Sequence, residues 1–491
     1  MNEHYYVGLD IGSASIKVVV GEKFKDGVNI IGTGETYTDS IEKGAIVDFE
    51  SAKTAIKDTL KKASIASGVN ITELFVTVPY TLSESYEVDE MLQFDGQETE
   101  LKGEHIEELF DRVTEQVMGM DDVEVIGIEP LVFNVDDIHE VDDPKEIIAT
   151  QFVELKARAI GVKKSLLINL LKCVDQCDVE VLDVYSSAIT LKNILTDAEK
   201  ELGSLVIDIG RDITELNYYQ RGVLVASDVV YKGGQNITND IMHAFELSYD
   251  EAERVKSQHG NAFYPNANDT DIIFSTDTNG DEVEFTEQDL SDVIEARTEE
   301  ILLEVLDLLQ KHKIMHVNGG FVLTGGTTNV LGIKELMQDI VSEKVRIHVP
   351  NHMGARKPQF SRVISLISSS IYFDELLEYV KIDYHNDLED GKEIVPANEE
   401  QPTKKSGFFD SFKSKKKESN DIVEEQPQDK DEQFSDEFVS THRDEDIQRN
   451  VDSNEQTRQT NDHSNNETVE QNDEERKEES KLQKFMKSLF E

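Results

Sequence analysis

The stretch Tyr5-Tyr6-Val7-Gly8-Leu9-Asp10-Ile11-Gly12-Ser13 decides how this chain reads. An aliphatic run ends in an aspartate and then a glycine, the pattern of a strand delivering its last residues into a tight turn. A glycine there lets main-chain amides approach a phosphate with no Cβ in the way. The pattern returns at Val206-Ile207-Asp208-Ile209-Gly210, and a third strand–glycine turn follows at Phe321-Val322-Leu323-Thr324-Gly325-Gly326-Thr327. Two such turns facing each other across a cleft would set both carboxylates, Asp10 and Asp208, beside one Mg2+, usually through water. That is the layout of a nucleotide clamp between two similar lobes. One strand–glycine turn alone is weak evidence, because such turns are general in α/β proteins. Three in this order are far more specific.

Composition narrows the ligand. At 491 residues the chain exceeds one typical core, so at least two domains are expected. It carries 101 acidic against 49 basic residues, a formal charge of −52. That opposes nucleic-acid binding, which relies on clustered Lys and Arg. A phosphate held by so acidic a chain points to a small Mg-nucleotide gripped by backbone amides and one or two lysines. The two cysteines, Cys173 and Cys177, have no second Cys/His pair nearby and read as small apolar residues in a reducing cytosol. No signal peptide and no apolar run near 18 residues is visible, so a cytoplasmic chain that does not span a membrane is expected.

Residues 1–383 alternate strand and helix patterns. Strands are expected at 5–11, 16–21, 28–38 and 73–79, with a helix near 50–67. After Pro79 come a helix near 104–118, strands 123–135 and 150–160, a helix at 163–176 and a strand–helix pair ending near 197. Strands 204–209, 213–219 and 222–230 then repeat the opening. Helices follow from Gly234 to Gln258, with a strand at 282–286 and a long helix at 287–311. Helices near 331–342 and 361–380 close the body. A β-β-β-α opening used twice, each time behind a DxG turn, implies two lobes of one ancestral fold.

From 384 to 480 the composition turns to Asp, Glu, Asn, Gln, Ser and Lys with few apolar residues, so a disordered acidic linker is expected, spanning roughly 50–60 Å as a coil. The last eleven residues, 481–491, break that pattern. Leu482, Phe485, Met486, Leu489 and Phe490 fall on one helical face, flanked by Lys481, Lys484 and Lys487. This is a basic amphipathic helix suited to an anionic membrane interface, although docking on the body's own core or in a groove of another protein remains open. The basic-aromatic patch at 404–417 reads equally as an auxiliary lipid contact or a solubilising charge run.

The ordered turns resemble the phosphate 1, phosphate 2 and adenosine motifs of the actin–Hsp70–sugar kinase superfamily. Within it, Gly8–Ser13 with Lys17, Gly233-Gly234-Gln235-Asn236-Ile237-Thr238-Asn239-Asp240, Glu251-Ala252-Glu253-Arg254-Val255-Lys256 and Gly320–Thr327 resemble the FtsA family. That family is known for actin-like, ATP-binding proteins that tie the FtsZ ring to the membrane in bacterial division. The resemblance covers roughly 1–383 plus the terminal helix. It implies an α/β, ribonuclease H-like duplicated fold. Lobe 1 takes 1–82 and 163–198, completed by about 345–383, with an inserted subdomain at 83–162. Lobe 2 takes 199–238 and 313–344, with a small subdomain at 239–312.

The resemblance also implies roles. Amides of Gly12, Ser13 and Ala14 hold the β/γ-phosphates of ATP and Lys17 neutralises them. Asp10 and Asp208 position Mg2+, and Gly210 and Thr214 form the second phosphate turn. Gly233 and Gly234 open a helix whose positive end faces the nucleotide. Glu253 and Lys256 reach the ribose and adenine edge, and Gly325, Gly326 and Thr327 pass under the base. Implied partners are a second copy of the chain, anionic lipids, the FtsZ C-terminal peptide near Arg297, and other division proteins through the inserted subdomain. The implied location is the cytoplasmic face of the membrane at the septum. Two departures stand out. Arg211 and Asp212 occupy a turn that many relatives fill with glycines. Val184-Tyr185-Ser186-Ser187-Ala188-Ile189 offers no Glu or Gln to orient a water, so ATP turnover is expected to be slow if it occurs. A PilM-like pilus scaffold shares the expected fold, and an Hsp70-type chaperone or sugar kinase is a more distant alternative.

Overall fold

The computed structural model describes residues 5–371, apart from 25, 26, 121, 137, 142, 143, 145 and 146. The acidic linker, the patch at 404–417, the terminal helix and the part of the expected last helix beyond 371 lie outside the described residues.

Two five-stranded sheets share one strand order. In lobe 1 the strands run Glu180–Ser186, Glu73–Val78, Tyr5–Ile11, Ser15–Phe24, Gly27–Tyr37; in lobe 2, Val345–Ile347, Gly320–Thr324, Ser204–Ile209, Thr214–Gln220, Val223–Val230. Each lobe therefore opens with a three-stranded antiparallel meander and adds two parallel strands beside the first. The duplication implied by the repeated DxG opening is thus a duplication of topology. Strand Val345–Ile347 corrects the expected boundary: it completes lobe 2, so the return to lobe 1 comes after it.

The lobe 1 sheet is covered on both faces. Helix Phe49–Ser67 starts at Asp48, whose carboxylate accepts the Ser51 amide at 3.1 Å. Its buried Ala52, Ala55, Ile56, Leu60 and Ala63 recur at helical spacing and pack on the sheet. They come very close: a Cβ at Gly34 would lie 2.2 Å from Thr59 O, which explains a glycine inside a strand. The opposite face meets the helix at 361–371, whose Val363 and Ile367 pack with Tyr6, Val19 and Ile30.

Residues 83–163 form a separate unit. Its sheet runs Ile138–Val141, Val123–Val135, Phe152–Lys163, Ser83–Gln93, and helix Gly103–Met120 buries Leu109, Val113 and Val117 in a core of its own. Strand Ser83–Gln93 was absent from the expected pattern. Only Ser83, Val88 and Leu92 are buried along it, and its acidic residues interrupt the two-residue alternation.

In lobe 2, helix Glu287–Lys311 begins with a capping box between Thr286 and Asp289 and buries Ile294, Ile301, Leu302 and Val305. The helices expected from Gly234 to Gln258 are Gly234–Phe245 and Tyr249–His259, separated where Glu246 adopts φ 55°. A further strand not anticipated, Ile272–Thr276, pairs with Glu282–Thr286. Among the described residues no helix is long and apolar enough to cross a membrane.

Candidate functional site

The two DxG turns are built alike. Gly12 N donates to Ser15 O at 3.2 Å and Gly210 N to Ile213 O at 2.9 Å, closing matching hairpins. Register then pairs Asp10 with Lys17 in lobe 1 and Asp208 with Glu215 in lobe 2. Both turns open into one cleft of about 640 Å3 between the lobes. Its lining includes Asp10, Gly12, Ser13, Ala14, Lys17, Asp208, Gly210, Gly234, Glu253, Lys256, Gly325, Gly326 and Thr327, all singled out from sequence. Glu35, Tyr37, Arg211, Tyr249, Lys357 and Arg362 are also among the lining residues.

Of three expected contributors, Gly233 opens its helix as expected, and Thr214 and Lys256 are bonded within the protein. Gly233 is the N-cap of helix Gly234–Phe245 and packs on the second turn, where a Cβ would sit 2.5 Å from Gly210 O. It shapes the cradle without lining it. Thr214 is fully buried and donates its hydroxyl to Lys232 O at 2.9 Å, so it braces strands away from the cleft. Lys256 spends all three ammonium donors internally, on Thr238 Oγ1 (2.6 Å), Glu253 Oε2 (2.6 Å) and Gly234 O (3.1 Å). It is a buried pillar that fixes Glu253 and the helix start, with no donor left for an adenine edge. Burial lowers its pKa, and Glu253 opposes that fall.

The charges at the base of the cleft are interlocked. Lys17 Nζ donates to Asp10 Oδ2 at 3.3 Å and to Ser15 O at 3.2 Å, and both side chains are buried. Arg362 Nη2 donates to Asp208 Oδ2 at 2.6 Å, lies 3.4 Å from Glu215 Oε2, and its Nη1 is 3.8 Å from Asp10 Oδ1. Burial alone would lower the Arg362 pKa, but Asp208, Glu215 and Asp10 outweigh it and raise the value. Glu215 also accepts from Ser187 Oγ (2.6 Å) and from the Tyr80 amide (3.2 Å), both in lobe 1. Ser187 belongs to the segment 184–189, which carries no Glu or Gln, and its hydroxyl is engaged by Glu215.

The donor set suits a hydrated Mg2+ only in part. Asp10 Oδ1 is buried with no hydrogen-bond partner, the mark of an acceptor left for a ligand. Asp208, by contrast, is already taken by Arg362. Among the described residues no group of three or more His, Cys, Asp or Glu is placed to hold a metal. A Mg2+ here would draw most of its ligands from phosphate and water.

Arg362 and Glu215 escaped sequence reading because they lie 147 positions apart. One local signal exists: Arg362 is the only charge in the apolar and serine-rich run 361–371. Arg297 is engaged by Asp240 (Nε–Oδ2 2.5 Å) and by Glu300, tying helix Glu287–Lys311 to helix Gly234–Phe245.

Comparison with known proteins agrees with this architecture. A family model described as "Cell division protein FtsA" matches residues 205–365. The chain is 47% identical over 494 residues to a "Cell division protein FtsA" of Staphylococcus epidermidis, covering the whole of both chains. It is 34% identical over 370 residues to that of Bacillus subtilis, covering 74% of this chain and 83% of the relative. Among solved structures, a PilM–PilN type IV pilus biogenesis complex shares the fold at TM-score 0.54 and 14% identity, over 74% of this chain and 97% of that one. That likeness concerns fold alone, whereas the identity to the Staphylococcus epidermidis FtsA protein runs along the full chain. With its duplicated two-lobe actin-like fold, the chain belongs to the FtsA family of cell division proteins.

Proposed function

We propose that this chain binds Mg-ATP in the interlobe cleft and works as an actin-like filament protein, on the inner face of the cytoplasmic membrane, that tethers the FtsZ ring to the division site. The observation that carries the nucleotide reading is the pair of matching hairpins whose glycine turns line one cleft from opposite lobes. Mg2+ supplies charge neutralisation of the phosphates when bound. Asp10 offers an oxygen with no hydrogen-bond partner, Lys17 a buried ammonium, and Ser13 and Ala14 the main-chain donors of a turn that the Gly12 amide closes onto Ser15 O. Hydrolysis is slow on this reading, because the segment 184–189 carries no Glu or Gln to orient water and its Ser187 is committed to Glu215.

Head-to-tail contacts between copies would give filaments, since heterologous interfaces do not close. Each copy then contributes one weak helix, 481–491, and stable attachment comes from many helices together. The FtsZ C-terminal peptide would dock on the small subdomain at 239–312, whose surface the Arg297–Asp240–Glu300 cluster holds in shape. The separate unit at 83–163 is the surface offered to other division proteins. Co-sedimentation with anionic vesicles tests the tether: the full chain pellets with ATP and vesicles, and a chain lacking 481–491 stays in solution. Equal pelleting of both would overturn the membrane role of that helix.

A further inference from the structure

The two hairpins differ in one charge. In lobe 1, Asp10 faces Lys17 across the strands, and the pair is self-compensating. In lobe 2 the equivalent position opposite Asp208 is Glu215, so two carboxylates stand side by side in the interior. Their compensation comes from lobe 1, from Arg362 on the helix at 361–371. The ions are deeply buried: side-chain exposure is 11% for Arg362, 8% for Asp208 and 0% for Glu215. Such a cluster persists only if each charge keeps its partner. The same guanidinium is within 4 Å of both Asp10 and Asp208, the two carboxylates from which a nucleotide-bound Mg2+ would draw support. Two cations that close repel, so a metal cannot take Asp208 at full strength while Arg362 holds it.

We infer that Arg362 is a built-in cation supplying part of the divalent metal's charge between the hairpins, so that ATP binding by this chain depends only weakly on Mg2+. The inference rests on the reading that the cleft takes ATP, and it adds what sets the metal requirement there. Asp10 and Lys17 remain for the metal and the phosphates. Asp208 serves mainly to seat Arg362, and through it to hold the lobes together.

The test is ATP affinity of the full chain, measured by calorimetry in excess Mg2+ and again in excess EDTA. The wild type is expected to lose less than about tenfold on chelation. The double variant Arg362→Gln/Glu215→Gln removes one charge of each sign and keeps the buried balance. It frees Asp208 for the metal, and its loss on chelation should exceed the wild-type loss by about tenfold or more. Arg362→Lys retains the charge and should stay near the wild type. A double variant whose chelation loss is within about twofold of the wild type overturns the inference. Should neither variant fold, the wild type decides alone: a loss beyond about tenfold on chelation also overturns it. No ATP binding in either buffer is a separate outcome, which removes the nucleotide reading itself.

Discussion

Arg211 Nη1 donates to the main-chain oxygen of Ser13 at 3.3 Å, so the second hairpin turn grips the first directly across the cleft. The same guanidinium pairs with Asp39, also in lobe 1, while its Nε holds Gln235 Oε1 at 2.9 Å and its face lies over Tyr249. A residue that looks like an intrusion on a glycine turn is therefore a bolt between lobes.

Replacing it tests the bolt. Arg211→Gly should weaken lobe closure by about 1 kcal/mol, because Asp39 is exposed and the pair is partly screened. Stopped-flow release of a fluorescent ATP analogue should then quicken by about fivefold. Unchanged release would mean that the bond contributes nothing to holding the lobes shut.

Gly325 cannot carry a side chain. Its φ of 93° and ψ of 164° suit glycine alone, and a Cβ would sit 2.3 Å from Asp208 Oδ1 and 2.5 Å from Ile209 O. Gly325→Ala should cost at least about 1–3 kcal/mol in urea unfolding and displace Asp208 from Arg362. A variant as stable as the wild type would contradict the packing described.

Glu199 links the interlobe segment to the last strand of lobe 2 through two 2.7 Å bonds from Arg346, and it accepts the Thr196 amide at 2.8 Å. Burial would raise its pKa, but the Arg346 and Thr196 bonds bring it down to about 2. The folded value lies below the unfolded one, so the stabilisation is complete above the ordinary carboxylate range. It fades as pH falls from about 5 toward 2. Glu199→Gln should be less stable than wild type by about 2 kcal/mol at pH 7, with the gap narrowing as the pH is lowered. A gap independent of pH would exclude an ionised Glu199 as its source.

Cys173 and Cys177 are buried in the lobe 1 core, and burial pushes both thiols up to about 11. At pH 8 alkylation by iodoacetamide should be at least ~100-fold slower in the folded chain than in urea, where both label. Fast native labelling would show that this core opens.

The hairpin turns were readable because glycine and aspartate there answer to local demands: a strand end, a tight turn, an amide cradle. The paired topology followed from the repeat of that signature. What stayed hidden depends on long-range partners. Arg362 and Glu215 have no meaning until residues 147 positions apart meet. Strand Ser83–Gln93 hides its alternation behind acidic side chains, Ile272–Thr276 leaves Ile272 and Phe274 exposed, and Val345–Ile347 is only three residues long. Lys256 resembles a surface lysine in its helix, yet the neighbouring helix start buries it.

The central claim is that both hairpins close on one nucleotide. Titration calorimetry of ATP with Mg2+ into the full chain and into Gly12→Val tests it most directly. At Gly12 an added Cβ would lie 3.0 Å from Ser15 O and 3.4 Å from Lys17 Nζ, so a valine there fills the phosphate cradle. One ATP bound per wild-type chain and none by the variant is the predicted result. An equal isotherm for the two proteins, or no binding by the wild type, would contradict it.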